Sequence, residues 1–560
     1  MMCLGWISPP LFASLGFVPR AGCSIAAALE RRQAHLLGIT WSSAQGRGKR
    51  KLKAVAAALV FLAALSSTAP ASSAAPPDAE ARTARYFDAI RQQPVPLAIF
   101  LQRFPKGGDL HNHLSGAVYA ESLIGWAEQD GLCVRLADMS LAKPPCDAGK
   151  GSPPVAEALK AADVYHDLVD AFSMRDFVAR DGVSGHDQFF ATFARFDPAT
   201  KAHTADMIAE VANRAAADHV DYLELMDSPG MAQARALAAA MPWTDDFDQA
   251  FTKLAPGVAP LVAEVSKGID TTEAQVKSRL HCGTAAAQPG CAVTIRYIAQ
   301  VIRTFPPAQV FAQAEFGYAL AAADPRVVGV NLVAPEDDPT TLRDYDKQMR
   351  LLGYMGRRYP TVRLSLHAGE LTMGLTPTAD LRTHIRDAVE IAGARRIGHG
   401  VDLRYEDDAA GLLREMASKR VMVEINLTSN DVILGVRGAD HPFETYLHAG
   451  VPVALSTDDE GVSRIDPTHE FTRAVLAYGL SYGQLKTLVR NSLEYAFLPG
   501  ESLWAAAAPY RVTAACAGAA LGSASPPAPC SALLKTSEKA ALQWRLEGEF
   551  KTFEATHWGR

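Results

Sequence analysis

Four short stretches of the sequence hold side chains suited to binding a metal ion and moving protons. Lys106-Gly-Gly-Asp-Leu-His111-Asn-His113-Leu-Ser115 places two imidazoles two residues apart. Side chains at i and i+2 of a strand share a face, so both can approach one ion. Ser365-Leu-His367-Ala-Gly-Glu370 adds an imidazole and a carboxyl group, Arg396-Ile-Gly-His399-Gly400 another imidazole, and Leu455-Ser-Thr-Asp458-Asp459-Glu460 adjacent acids. Taken singly, each is ordinary: a core histidine, a glycine-flanked turn, carboxylates capping a helix. Together, three imidazoles and a carboxylate suit a borderline-soft divalent cation with one position left for water, which favours zinc and allows iron or cobalt. The chemistry of such a set is metal-assisted hydrolysis.

These residues need elements that bring them to one place. Eight strand-like runs, Asp109–Leu114, Val220–Leu225, Val293–Tyr297, Val327–Leu332, Val362–His367, Arg396–His399, Val421–Asn426 and Val451–Thr457, end in polar residues and alternate with helix-length segments. Parallel strands with helical crossovers follow, and an α/β fold of the (β/α)8 TIM-barrel type accounts for the count. In that fold the C-terminal strand ends carry the chemistry. Residues 75–104 are expected as a linker and an N-terminal helix over 78–103. Residues 105–500 form the barrel, with an insertion at 130–190, and residues 501–560 a cysteine loop followed by a helix over Glu538–Glu554.

At 560 residues with 48% hydrophobic and 21% charged residues, the chain has a globular balance that excludes disordered, collagenous and multi-span membrane classes. The basic run Arg47–Lys53 precedes an apolar stretch, Ala54–Leu65, and then small residues through Ala74, the parts of a secretory signal. The stretch is too short for a stable membrane span. Residues 1–74 are therefore expected to be removed, with the mature chain beginning near Ala75; a signal seldom begins so late, so translation is expected to start downstream of Met1. Without that segment 47 basic and 60 acidic side chains remain, a formal charge of −13. That surface repels phosphate backbones and anionic lipid, so nucleic acid is a poor partner and a neutral or cationic small molecule a better one. Six cysteines remain as local pairs, Cys133 with Cys146, Cys282 with Cys291 and Cys516 with Cys530. An even number in an exported chain favours disulfides, and nearest-neighbour pairing is expected, though sequence alone does not choose the connectivity.

GGDLHNHLSGA, SLHAGE, RIGHG and STDD, in this order over roughly 105–500, resemble the adenosine deaminase family of metal-dependent barrel hydrolases. The signal segment, the cysteines, HDQFFATF at 186–193 and NSLEYAFL at 491–498 are similar to its secreted branch, the adenosine deaminase-related growth factors. The resemblance implies one zinc per chain held by His111, His113, His367 and Asp458. It implies that Glu370 passes a proton to the purine ring nitrogen beside the reacting carbon, that His399 orients the water and helps deprotonate it, and that Asp459 hydrogen-bonds the imidazole edge of the base. It also implies a purine nucleoside as the small-molecule partner, adenosine or 2′-deoxyadenosine, converted to the inosine form and ammonia. Adenine or a modified adenosine is the sister reading, and a secreted nucleoside-binding or signalling protein of weak turnover a third. The oligomeric state is open, a homodimer included, and export ends in the periplasm or outside the cell. The sequence departs from the family in the fourth run, VVGVNLVAPEDD, where Asn331 and Ala334 stand for the usual Asp and Gly, and at Ser115, where many intracellular members carry Asp. Those positions belong to the substrate pocket.

Overall fold

The structure, a computed structural model, describes residues 78–180, 182–556 and Trp558. The expected signal and the mature start near Ala75 lie outside the described residues.

All eight expected runs form strands: β1 Gly107–His113, β2 Val220–Asp227, β3 Thr294–Ile302, β4 Val327–Val333, β5 Arg363–Ala368, β6 Arg396–His399, β7 Met422–Ile425 and β8 Val453–Leu455. They pair in chain order, every neighbour parallel. The circle closes just past β8, where the His113 amide donates to the Asp458 carbonyl at 3.0 Å and the Asp458 amide to the His111 carbonyl at 2.9 Å. The (β/α)8 barrel is thus present, and its seam sets three of the expected metal-binding residues side by side. Most of these strands are buried on both faces, which is why they read as apolar runs rather than as alternating ones.

The single N-terminal helix expected over 78–103 is two helices, α1 Ala79–Ile90 and α2 Pro94–Gln102. Pro94 lacks the amide needed to continue α1 and has the φ that starts α2. Insertion 130–190 carries a two-stranded hairpin, Cys133–Arg135 with Ser140–Ala142, and leads into α3 Gly185–Thr200. Ser184 and Asp187 cap α3 reciprocally. The crossover after β2 contains a 33-residue helix, α4 Phe247–Arg279. The next crossover is α5 Pro307–Ala323, and the chain closes with α6 Glu538–Ala555. Lys486 ties α6 to α1, with Nζ 2.7 Å from Glu554 and 3.1 Å from Glu80.

NSLEYAFL lies against the N-terminal ends of the strands: Ser492 Oγ accepts from the Gly108 amide at 2.8 Å, and Asn491 Nδ2 donates to the Val453 carbonyl at 2.8 Å. The three expected disulfides are formed, Cys133–Cys146, Cys282–Cys291 and Cys516–Cys530. Among the described residues no helix is long and apolar enough to cross a membrane.

Candidate metal centre and substrate cavity

The strand ends bring His111, His113, His367 and Asp458 together as the spacing requires. His367 Nε2 lies 3.1 Å from His111 Nε2 and 3.2 Å from His113 Nε2, and Asp458 Oδ1 lies 3.4 and 3.2 Å from the same two atoms. His399 joins them: His111, His367, His399 and Asp458 each present an atom within 4.8 Å of the others, as do His113, Asp458 and Asp459.

Each of the first three imidazoles is turned by a partner on its far nitrogen. His111 Nδ1 is 2.7 Å from Glu424 Oε2, His113 Nδ1 donates to Gln300 Oε1 at 2.6 Å, and His367 Nδ1 to Asn331 Oδ1 at 2.8 Å. An Nδ1 that donates leaves a lone pair on Nε2. Three Nε2 lone pairs and a carboxylate therefore face one another, an arrangement that repels itself unless a cation sits among them. The electrostatics agree. Burial alone would depress His111, yet Asp458 and Glu424 outweigh it and lift the imidazole to about 10, so that a proton occupies Nε2 unless a metal ion takes its place. The donor set thus fits a divalent metal ion.

His399 is turned differently. His441 Nε2 bonds Asn430 Oδ1 at 2.9 Å, so Asn430 offers its amide nitrogen to His399 Nδ1, also at 2.9 Å. The ring's proton then sits on Nε2, which is buried without a hydrogen-bond partner. Burial holds His399 near 3, so it stays neutral.

Glu370 leaves β5 through Gly369, whose φ is 73° and whose missing Cβ would lie 2.4 Å from Asp402 Oδ1. Glycine is required there. The Gly369 and Glu370 amides both donate to Glu336 at 3.0 Å. Although burial opposes its charge, the hydrogen bond from His384 holds Glu336 down to about 2, so a fixed carboxylate anchors the loop. Burial, and then the charges of Asp458 and Glu336, push Glu370 well above the usual carboxylate range. Burial lifts Asp459 to about 8. The Asp459 side chain fits because residue 116 is glycine: a Cβ there would stand 1.6 Å from Asp459 Oδ1.

A cavity of about 980 Å³ opens onto this cluster, lined by His113, Ser115, Ala334, Glu370 and Asp459 among others. Ala334 has φ of 94°, a conformation that favours glycine, so its Cβ is held there at a conformational cost. Phe189, Phe190 and Phe193 of α3 form an apolar wall.

Five further residues that no motif marks in the sequence contact the candidate site: Gln300, Glu336, Glu424 and Asn430, and Asn331, which stands there only as a departure from the family pattern. Three of them carried a signal. A lone polar residue inside a buried apolar run, as Gln300, Asn331 and Glu424 are, must find a partner.

The profile of the family described as adenosine deaminase matches residues 187–505. His111 and His113 lie before that range, and the barrel seam brings them to Asp458. An adenosine deaminase of Enterococcus faecalis is 35% identical over 175 residues, which is 31% of this chain and 46% of that one. One from Erwinia tasmaniensis is 36% identical over 160 residues, 27% and 45% of the two chains. The chain spans less than half the length of these relatives. Among solved structures, an N6-mAMP deaminase of Arabidopsis aligns with a TM-score of 0.46 at 21% identity, covering 71% of this chain and 95% of that one. A zinc-bound amidohydrolase of Burkholderia ambifaria aligns at 0.44 and 18%, covering 72% and 88%.

Proposed function

Because the chain belongs to the adenosine deaminase family, we propose that it hydrolyses adenosine and 2′-deoxyadenosine to inosine and 2′-deoxyinosine with release of ammonia. The observation that carries this reading is the convergence of four metal-binding side chains with Glu370 and Asp459 at one cavity. His111, His113, His367 and Asp458 would hold one zinc ion, which when bound supplies Lewis-acid activation of water.

The chain's own groups do the rest. Glu370, kept protonated by burial and the neighbouring carboxylates, donates to the ring nitrogen beside carbon 6 and makes that carbon electrophilic. His399 orients the water; its Nε2 proton supports the orienting half of the role expected for it, more than proton removal. Asp459, lifted to about 8, exchanges a hydrogen bond with the imidazole edge of the base. The water oxygen adds to carbon 6 to give a tetrahedral centre; the carbon–nitrogen bond then breaks, one of the water's protons leaves with the amine as ammonia and the other restores Glu370.

The sister reading, an adenine or modified-adenosine deaminase, would share the metal-binding residues and rests on the departures of the substrate pocket, Ser115 and Ala334, both of which line the cavity. A binding protein of weak turnover is disfavoured by the retention of Glu370. Ammonia release from adenosine, 2′-deoxyadenosine, adenine and AMP separates the three: adenosine and its deoxy form should be the best substrates. Preference for adenine or AMP would replace the substrate assignment, and binding of adenosine without ammonia release would replace the enzyme. Three disulfides support export to the periplasm or beyond the cell, and with the 186–193 and 491–498 motifs they support membership of the secreted growth-factor branch.

A further inference from the structure

Behind the cavity wall, side chains with no exposure to solvent form a line of alternating charge. Glu424 on β7 presents Oε2 to His111 and Oε1 to Arg396 Nε at 2.5 Å, with Ser365 Oγ donating to Oε1 at 2.9 Å. Arg396 on β6 turns its outer nitrogens to Glu224 on β2 and to the Tyr495 carbonyl, the latter at 3.2 Å. Its guanidinium lies 3.8 Å from the centre of the Phe497 ring. Glu224 in turn accepts from the Phe497 amide at 2.7 Å and from Tyr222 Oη at 2.8 Å. The NSLEYAFL segment therefore supplies three of the contacts that fix the far end of the line.

At the far end Lys539 shares in balancing Glu224, while at the near end Glu424 commits one oxygen to Arg396 and Ser365 and turns the other to His111 Nδ1. A carboxylate fixed in this way behind a ring makes the opposite nitrogen a stronger donor toward a cation. The other two imidazoles differ: Gln300 and Asn331, which turn His113 and His367, are neutral amides. His111 alone of the three has a carboxylate behind it.

We propose that Glu424, Arg396 and Phe497 are positioning residues that set the metal affinity of the site from the floor of the barrel. The inference rests on the metal-site reading above and adds the residues that tune it. Carboxylate partners of metal-binding histidines contribute about 10–100-fold in affinity.

The test is zinc affinity, measured by chelator competition on the metal-stripped chain, alongside the melting temperature of that same stripped protein. Glu424→Gln should bind zinc about 10–100-fold more weakly. Phe497→Leu keeps the amide to Glu224 and the buried ion pairs but removes the ring face, and should weaken zinc severalfold. Tyr510→Phe serves as the control: it deletes a floor hydrogen bond to Asn491 Oδ1 of 2.6 Å without touching the charged line. It should lower the melting temperature and leave zinc affinity unchanged. The proposal is overturned if Glu424→Gln binds zinc as the wild type does, or if Phe497→Leu and Tyr510→Phe shift affinity alike. Failure of the wild type itself to take up zinc would overturn the metal reading and the positioning role of these residues together.

Discussion

At the scale of single residues, the proposed site separates groups that would hold an ion from groups that would move protons. Asp458→Ala or His113→Ala deletes a donor from a cluster whose members stand 3.1–3.4 Å apart, and should lower metal content together with rate. Glu370→Gln leaves the donors in place and removes the transferable proton. It should keep its metal and lose at least about 10²-fold in rate, the scale of general acid–base catalysis. Metal analysis beside steady-state kinetics decides; near-normal turnover in Glu370→Gln would end its assignment as proton donor. Ala334 offers a sharper case, since its φ of 94° holds a methyl group on the cavity wall. Ala334→Gly should change the KM for adenosine more than metal content. Relief of strain and the larger unfolded-state entropy of glycine oppose one another, so the unfolding free energy should move by no more than about 1 kcal/mol. Equal kinetics of the two proteins on adenosine, deoxyadenosine and adenine would remove Ala334 from the base-binding wall.

At the scale of elements, what was legible in the sequence follows from what buries what. The eight strands could be read because a parallel sheet covered on both faces leaves uninterrupted apolar runs, and the metal-site residues because each stands where such a run ends. The 33-residue α4 could not be read in this way, since Pro256 and Pro260 lie inside it and argue locally against a helix. Tertiary packing overrides them: Leu254, Val258, Leu261, Val265 and Ile269 are all buried. Nor could Glu336 be found from its own surroundings, because its partners, His384 and the 369–370 amides, are distant in the chain. One joint between elements carries a pH prediction. Asp324 ends α5 just before β4 and binds Arg326 and Ser266, so that α4, α5 and β4 meet there. Against burial, the hydrogen bonds from Arg326 and Ser266 hold its carboxyl down to about 2. A depressed folded-state pKa means stabilisation that is present above the ordinary value of about 3.9 and fades as pH falls toward 2. The gap in melting temperature between wild type and Asp324→Asn should therefore be widest near neutrality and narrow through that window. A gap independent of pH would contradict the ionic account of the joint.

At the scale of the whole molecule, the three disulfides are compatible with the proposed export to an oxidising compartment, and the excess of acid over base with a small-molecule partner rather than a phosphate polymer. Intact-mass analysis of the exported chain should place its first residue near Ala75 and find no alkylatable thiol before reduction. Recovery of residues 1–46, or of six free thiols, would overturn both the export and the cysteine arguments. The barrel seam and the ends of β1 and β5 assemble the proposed metal site on which deamination would depend. That dependence is tested most directly by stripping the protein with a chelator, verifying that the metal is gone, and following ammonia release from adenosine as zinc is returned. Activity should vanish in the stripped protein and recover in proportion to zinc, reaching its plateau at one equivalent per chain. Full activity in the verified metal-free protein would contradict the account.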